Sequence, residues 1–338
     1  LKKVCRELAA YHDRGVLQQD MHLGNFLLKG ERVFLLDAAR MKFRSRPISR
    51  AEGIAQAALL SVILTDVDAG DIRELCRSYL DARGCAPSPV DEARMASLRS
   101  RYRSVAVERG LKKTLRTSKR YQRVAGKTVR GVYEKAFFGN ADLRPLFDRL
   151  ETLTGAGEDA GSGKARAASI LTWHGKKLVV QRYRERGLIP AIRRTLTASH
   201  AKRGWLNGYR LIMLGIGTPR PVCYVEFHRG CFVRESFLIT ECIEGKTLAE
   251  TLQDRGLTAG RRETLLQHVW RQVHRLHEHR IVHGDLKQGH ILISAQGPLL
   301  TDLDRMTVCA WDCLFKAWRD RDLQRLNLDG PGEETDRV

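Results

Sequence analysis

Two stretches of the chain place aspartates and a polar partner at one repeated spacing. The first is His12-Asp-Arg-Gly-Val-Leu-Gln-Gln-Asp20-Met-His-Leu-Gly-Asn25, followed by Val33-Phe-Leu-Leu-Asp37-Ala-Ala-Arg40-Met41. The second is His277-Glu-His-Arg-Ile-Val-His283-Gly-Asp285-Leu-Lys287-Gln-Gly-His290, followed by Leu299-Leu-Thr-Asp302-Leu-Asp304-Arg305-Met306. In both, a His stands eight residues before the first Asp, a polar residue five after it, and a second Asp twelve beyond that. Arg-Met then follows at the same offset. Four coincident spacings in unrelated loops are improbable, so the chain carries an internal repeat. Two carboxylates separated by a strand pair, with an amide or imidazole beside the first, suit a divalent metal and a proton acceptor at one point. Phosphoryl transfer needs such an arrangement, because it rests on positioning and charge neutralisation.

Each copy predicts the same supports: an amphipathic helix (1–13 and about 264–278), a polar loop, then two short apolar strands. Rigid elements flanking a polar loop are where chemistry is usually placed. The order of residues matches the kinase catalytic loop, H-R-D-x-x-x-x-N followed by an Asp on the next turn. His283-Gly-Asp285 with His290 and Asp302 fits that template, and Gln18-Gln19-Asp20 with Asn25 and Asp37 fits it with the leading His replaced. His12 and His277 sit in the helices and are read as structural. Residue 1 is Leu and opens directly in a helical pattern, so the reading expects a natural start further upstream.

Between the copies the character changes. Residues 99–135 hold thirteen Lys/Arg against Glu108 and Glu134, a local net of +11. That run suits either a solvated helix face or binding to anionic lipid headgroups, each basic residue near a membrane contributing about 1 kcal/mol. Ala168–Trp173, a His174-Gly175 turn and Lys177–Tyr183 predict a hairpin, as do Val222–His228 and Cys231–Cys242 about Arg229-Gly230. A basic helical stretch over 193–214 lies between them, closed by Pro219 and Pro221. Four strands with a helix among them, then a helical region with a polar loop, describe an α+β fold with a cleft between lobes.

The run Ile281-Val-His-Gly-Asp-Leu-Lys-Gln-Gly-His-Ile-Leu-Ile with Leu300-Thr-Asp-Leu-Asp-Arg-Met resembles the lipopolysaccharide kinase family of Kdo and core-heptose kinases. Leu178-Val-Val-Gln-Arg-Tyr, Leu214-Gly-Ile-Gly-Thr-Pro-Arg-Pro and Ser236-Phe-Leu-Ile-Thr-Glu-Cys-Ile-Glu-Gly agree with it. The resemblance implies a protein-kinase-like bilobal fold for 110–338, with an N-lobe over about 110–243 and a C-lobe over about 244–338. It implies a partial C-lobe, without its N-lobe, for 1–100. It further implies ATP as phosphate donor, Mg²⁺ as cofactor, and a sugar hydroxyl of the lipopolysaccharide core, or a lipid-linked sugar, as acceptor. Carried over by position, Asp285 is the catalytic base and His290 and Asp302 are metal ligands; Asp20, Asn25 and Asp37 hold those places in the first copy. Glu241 to Ile243 form the adenine hinge, and Gly161-Ser-Gly163 the turn over the phosphates.

Two departures qualify the match. The strand lysine that steadies the phosphates falls at Gln181, a neutral amide, with Lys177 four residues away on the same strand face. No carboxylate occurs between Glu185 and Glu226, where the helix partner of that lysine belongs. A binding module without turnover is therefore the alternative to a phosphotransferase.

Composition bounds these readings. At 338 residues, 43% hydrophobic and 29% charged, the chain is globular and long enough for about two domains. Its net charge of +20 attracts anionic partners, but no interleaved aromatic and basic pattern marks a specific nucleic-acid partner. The longest apolar stretch, near 54–64, is far short of the roughly 20 residues that span a bilayer, so no transmembrane segment is read. Eight cysteines without a C-x-x-C pair read as reduced thiols. A cytoplasmic protein, peripheral on the inner membrane of a Gram-negative bacterium, is the expected setting.

Overall fold

The computed structural model describes residues 2–64, 68–139, 141–155, 166–184, 198–230 and 232–328. The chain forms two compact units, Leu1–Arg109 and Gly110–Val338.

In the first unit, α1 (Lys2–Asp13) leads into β1 (Val16–Gln18), the hairpin β2 (Phe26–Lys29) and β3 (Arg32–Leu35), then β4 (Met41–Phe43), α2 (Arg50–Leu60) and α3 (Ala69–Ala82). The helix α4 (Pro89–Thr114) runs through the division between the units. Cys5, Leu8, Ala9 and His12 recur at helical spacing on α1 and are buried. They pack with Ile54, Ala57, Leu75, Tyr79 and Met95. Ser49 caps α2 by accepting from the Glu52 amide, and Asp68 with Asp71 forms a capping box at α3. His12 is fully buried and its Nδ1 lies 2.7 Å from the Tyr79 hydroxyl, a structural role. β1 pairs antiparallel with β4.

The second unit opens with β5 (Tyr121–Ala125), β6 (Val129–Glu134), α5 (Lys135–Phe138) and α6 (Arg144–Gly155). Next come β7 (Arg166–Trp173), β8 (Lys176–Arg184), α7 (His200–Leu214), β9 (Pro221–Arg229) and β10 (Phe232–Glu241). Its helical part holds β11 (Lys246–Thr247), α8 (Leu248–Leu252), α9 (Ala259–Glu278), β12 (Ile281–Val282), β13 (Ile291–Ser294), β14 (Gly297–Leu300), β15 (Thr307–Val308) and α10 (Asp312–Leu326). Both expected hairpins are present. The sheet, however, has six antiparallel strands in the order β5-β6-β9-β10-β8-β7, two more than expected.

The extra strands come from the basic segment. It is not one helix: 99–114 is helical, and 121–134 is a hairpin in which Tyr121 pairs with Glu134 and Ala125 with Arg130. Several of its cations are already engaged. Arg99 and Arg103 donate to the Leu64 carbonyl, and Arg120 pairs with the fully buried Glu134. Glu134 also accepts from Arg220 and, at 3.1 Å, from the Tyr209 hydroxyl. Burial pushes the Glu134 carboxyl up, but Arg220 and Arg120 outweigh it and leave it below its ordinary value.

Alternation along β8 sorts the sheet's two faces. Leu178 and Val180 join a core with Leu143, Leu146 and Leu150 around α6, where burying each large aliphatic contributes about 1.5–3 kcal/mol. Gln181 and Tyr183 take the opposite face, toward α7 and the helical lobe.

Candidate active site

The loop after β12 is held from beneath by a residue the sequence did not single out. Asp322 on α10, almost fully buried, accepts the amides of His283 at 2.6 Å and Gly284 at 3.0 Å. Burial raises its carboxyl above the ordinary value despite those bonds. Gly284 turns at φ +81°, and a Cβ there would stand 2.8 Å from the Arg305 carbonyl, so the position requires glycine. His283 is fully buried, and burial lowers its pKa to about 4. It is therefore neutral and donates through Nε2 to the Thr301 carbonyl at 2.8 Å, tying the loop to the end of β14.

Asp285 emerges from this frame with its side chain 17% exposed. Lys287 Nζ lies 2.9 Å and Arg325 Nη1 3.5 Å from its Oδ1. Burial raises the Asp285 pKa, but the Lys287 bond and the charges of Lys287, His290 and Arg305 bring it below the ordinary value. His290 donates from Nδ1 to the Asp285 carbonyl at 2.7 Å, and its Nε2 is 3.3 Å from Asp302 Oδ2. The structure thus brings Asp285, His290 and Asp302 together. Asp302 adopts left-handed backbone, φ 66° and ψ 43°.

Gln181 is part of the same constellation. Its Nε2 donates to Asp302 Oδ1 at 3.2 Å, and its Oε1 accepts from the Tyr183 hydroxyl at 3.0 Å. Lys177 is exposed, and its carbonyl takes the Cys242 amide at 3.2 Å, which continues strand pairing into the lobe connection. Glu241 ends β10 beside Arg220, and Ile243 follows it in the connection to β11. Gly161 and Gly163 lie outside the described residues.

The first unit repeats the backbone and loses the enclosure. Gln18 Nε2 donates to the carbonyls of Leu36 and Asp37, as His283 does to Thr301. Asn25 Nδ2 donates to the Asp20 carbonyl at 2.8 Å, as His290 does to Asp285. Asp37 is left-handed at φ 59°, like Asp302. Yet the Asp20 side chain is 60% exposed, Asp37 is exposed, and the partner of Asp20 is His22 at 3.7 Å.

Among the described residues no group of three His, Cys, Asp or Glu side chains could hold a metal ion unaided. A nucleotide-bound Mg²⁺ needs only one or two protein carboxylates besides phosphate oxygens, and Asp302 fits that demand. His290 offers nitrogen, a poor match for a hard cation, whereas Asn25 in the first unit offers an amide oxygen.

A model of the lipopolysaccharide kinase (Kdo/WaaP) family matches residues 154–330. The chain belongs to this family. No curated protein matches it. Kinase-type chemistry and an α+β, kinase-like fold follow from membership. The match begins in the last turn of α6, so β5, β6, α5 and most of α6 lie before the family segment, although β6 pairs with β9 inside it. Sequence reasoning missed the roles of Asp322 and Tyr183, and of His200 and Asn207, which meet Asp304 and the Leu303 and Met306 carbonyls. Asp322 stands among Arg319, Asp320 and Arg321 on a charged helix, and nothing in its type or spacing sets it apart.

Proposed function

We propose that the second unit transfers a phosphoryl group from ATP to a sugar hydroxyl of the lipopolysaccharide core. The observation that carries this reading is the gathering of Asp285, His290 and Asp302, with the catalytic loop fixed by the buried Asp322. Asp285 accepts a hydrogen bond from the acceptor hydroxyl and orients it. Its lowered pKa keeps it ionised at neutral pH, and Lys287 beside it holds its carboxylate in place. Asp302 is the ligand for Mg²⁺, which supplies charge neutralisation at the phosphates when bound. His290 sets the direction of the Asp285 backbone and stands at the second ligand position. Glu241 to Ile243 cradle adenine by backbone.

The first unit is a partial C-lobe that keeps Asp20, Asn25 and Asp37 without turnover of its own, since both aspartates are exposed although Asn25 is buried. An acceptor carried on lipid places the protein at the cytoplasmic face of the inner membrane. The +11 net charge of residues 99–135 serves that attachment.

A second reading, a pseudokinase that binds envelope glycolipid without turnover, draws on Gln181. The amide meets Asp302 where a lysine would meet phosphate. ATP consumption with core oligosaccharide, in wild type and Asp285→Asn, decides between them. Wild-type turnover that collapses in the variant supports transfer, and its absence in wild type favours the binding module.

A further inference from the structure

Helix α7 carries no carboxylate, so the strand-to-helix ion pair of kinase folds has no counterpart on it. The helix nevertheless meets the loop that carries Asp302 through several side chains. His200 Nδ1 lies 2.7 Å from Oδ2 of the buried Asp304. Arg203 Nη2 lies 2.8 Å from the same His200 nitrogen. Asn207 Nδ2 donates to the carbonyls of Leu303 at 2.7 Å and Met306 at 3.0 Å. Residues 200, 203 and 207 share one face of the helix. Between them Gly204 lies so close to Leu238 that an added Cβ would meet its methyl at 2.6 Å. On the strand side, the Tyr183 ring stacks on His200 at 5.3 Å and 13°, and its hydroxyl holds Gln181, which bonds Asp302.

We propose that His200, with Asn207 and Gln181, latches the Asp302–Met306 loop to helix α7 and strand β8, and that His200 is thereby a positioning residue for phosphoryl transfer. The comparison within the chain separates this from a folding requirement. Asp37 adopts the same left-handed turn in the first unit, where Ala39 replaces Asp304 and the aspartate is exposed. The turn therefore forms without a latch. What the latch adds is a fixed direction for the Asp302 carboxylate and a coupling of helix α7 to it. Asp304 acts as the anchor of this coupling, not as a second metal ligand.

The positioning role rests on the kinase reading, whereas the latch does not. Amide hydrogen exchange over residues 300–308 tests the latch in the full chain without any turnover. His200→Ala should speed exchange there by about tenfold or more, the range implied by a lost charge-assisted hydrogen bond. His200→Asn, which keeps a donor at the Nδ1 position, should restore most of the protection, and Gln181→Met should loosen the same segment while leaving α7 intact. In turnover, His200→Ala should lower kcat by up to about 100-fold, the scale of a displaced catalytic group, with KM for ATP little changed. Unchanged exchange in both His200→Ala and Gln181→Met would overturn the latch. Faster exchange with unchanged kcat would overturn the positioning role. A wild type without turnover would overturn the kinase reading and the positioning role with it, leaving exchange to decide the latch.

Discussion

The loop around Asp20 and the loop around Asp285 have the same backbone and different surroundings. Gln18 and His283 each bond the carbonyl at the base of the second strand, and Asn25 and His290 each bond the first aspartate's own carbonyl. The second aspartates are left-handed in both. Side-chain exposure then divides them: 60% for Asp20 against 17% for Asp285. Strand β8, helix α7 and Asp322 act on the later loop. In the first unit the Gln19 amide turns to the Arg40 carbonyl instead, and β1 extends through Gln18. The backbone of such a loop can therefore be written locally, while its electrostatics depend on what is folded over it.

The largest contrast lies in turnover. Asp285→Asn should reduce phosphoryl transfer by about 10²–10⁴-fold, the range for a lost acid–base group, while Asp20→Asn should stay within about twofold. Equal losses in steady-state assays would erase the distinction between the loops. Asp322→Ala should destabilise the second unit by about 2–4 kcal/mol, because buried amides lose a charged acceptor. Urea denaturation followed by probes in each unit measures this, and the first unit's transition should not move. Mg-ATP at 100 times its Kd should stabilise the second unit by about 2.7 kcal/mol and leave the first unchanged. A thermal-shift scan that moves both would mean the first loop binds nucleotide too.

The smallest contrast between the units concerns acid. Burial lowers His12, His277 and His283 to about 4 from an ordinary 6.5. Each binds its proton in the unfolded chain before it does so in the folded one. Stability is therefore full above about pH 6.5 and falls as pH drops toward 4, by about 2 kcal/mol per histidine at pH 5. The second unit holds two of the three, so its denaturation midpoint should fall faster between pH 7 and pH 5 than that of the first.

The two aspartate loops and both central hairpins were legible because each is written in neighbours. His290 stands near Asp285 and Asp302 in sequence and meets both in space, at 3.8 and 3.3 Å. Strands β5 and β6 were hidden because 121–134 carries no clean apolar alternation among its cations, and β6 is held by pairing with β9, about ninety residues on in the chain. Gln181 was flagged as a missing lysine, but its bond to Asp302 spans 121 residues of sequence, and the His200 contact with Asp304 spans 104. No local periodicity encodes such pairings.

The sequence by itself determined the loops, since turns, short strands and the bonds of Gln18, Asn25, His283 and His290 involve partners a few to twenty residues away. Only the tertiary structure decided which loop is enclosed. Enclosure requires a sheet face, a carboxylate-free helix and a buried aspartate to converge from distant parts of the chain, and desolvation acts only where they do.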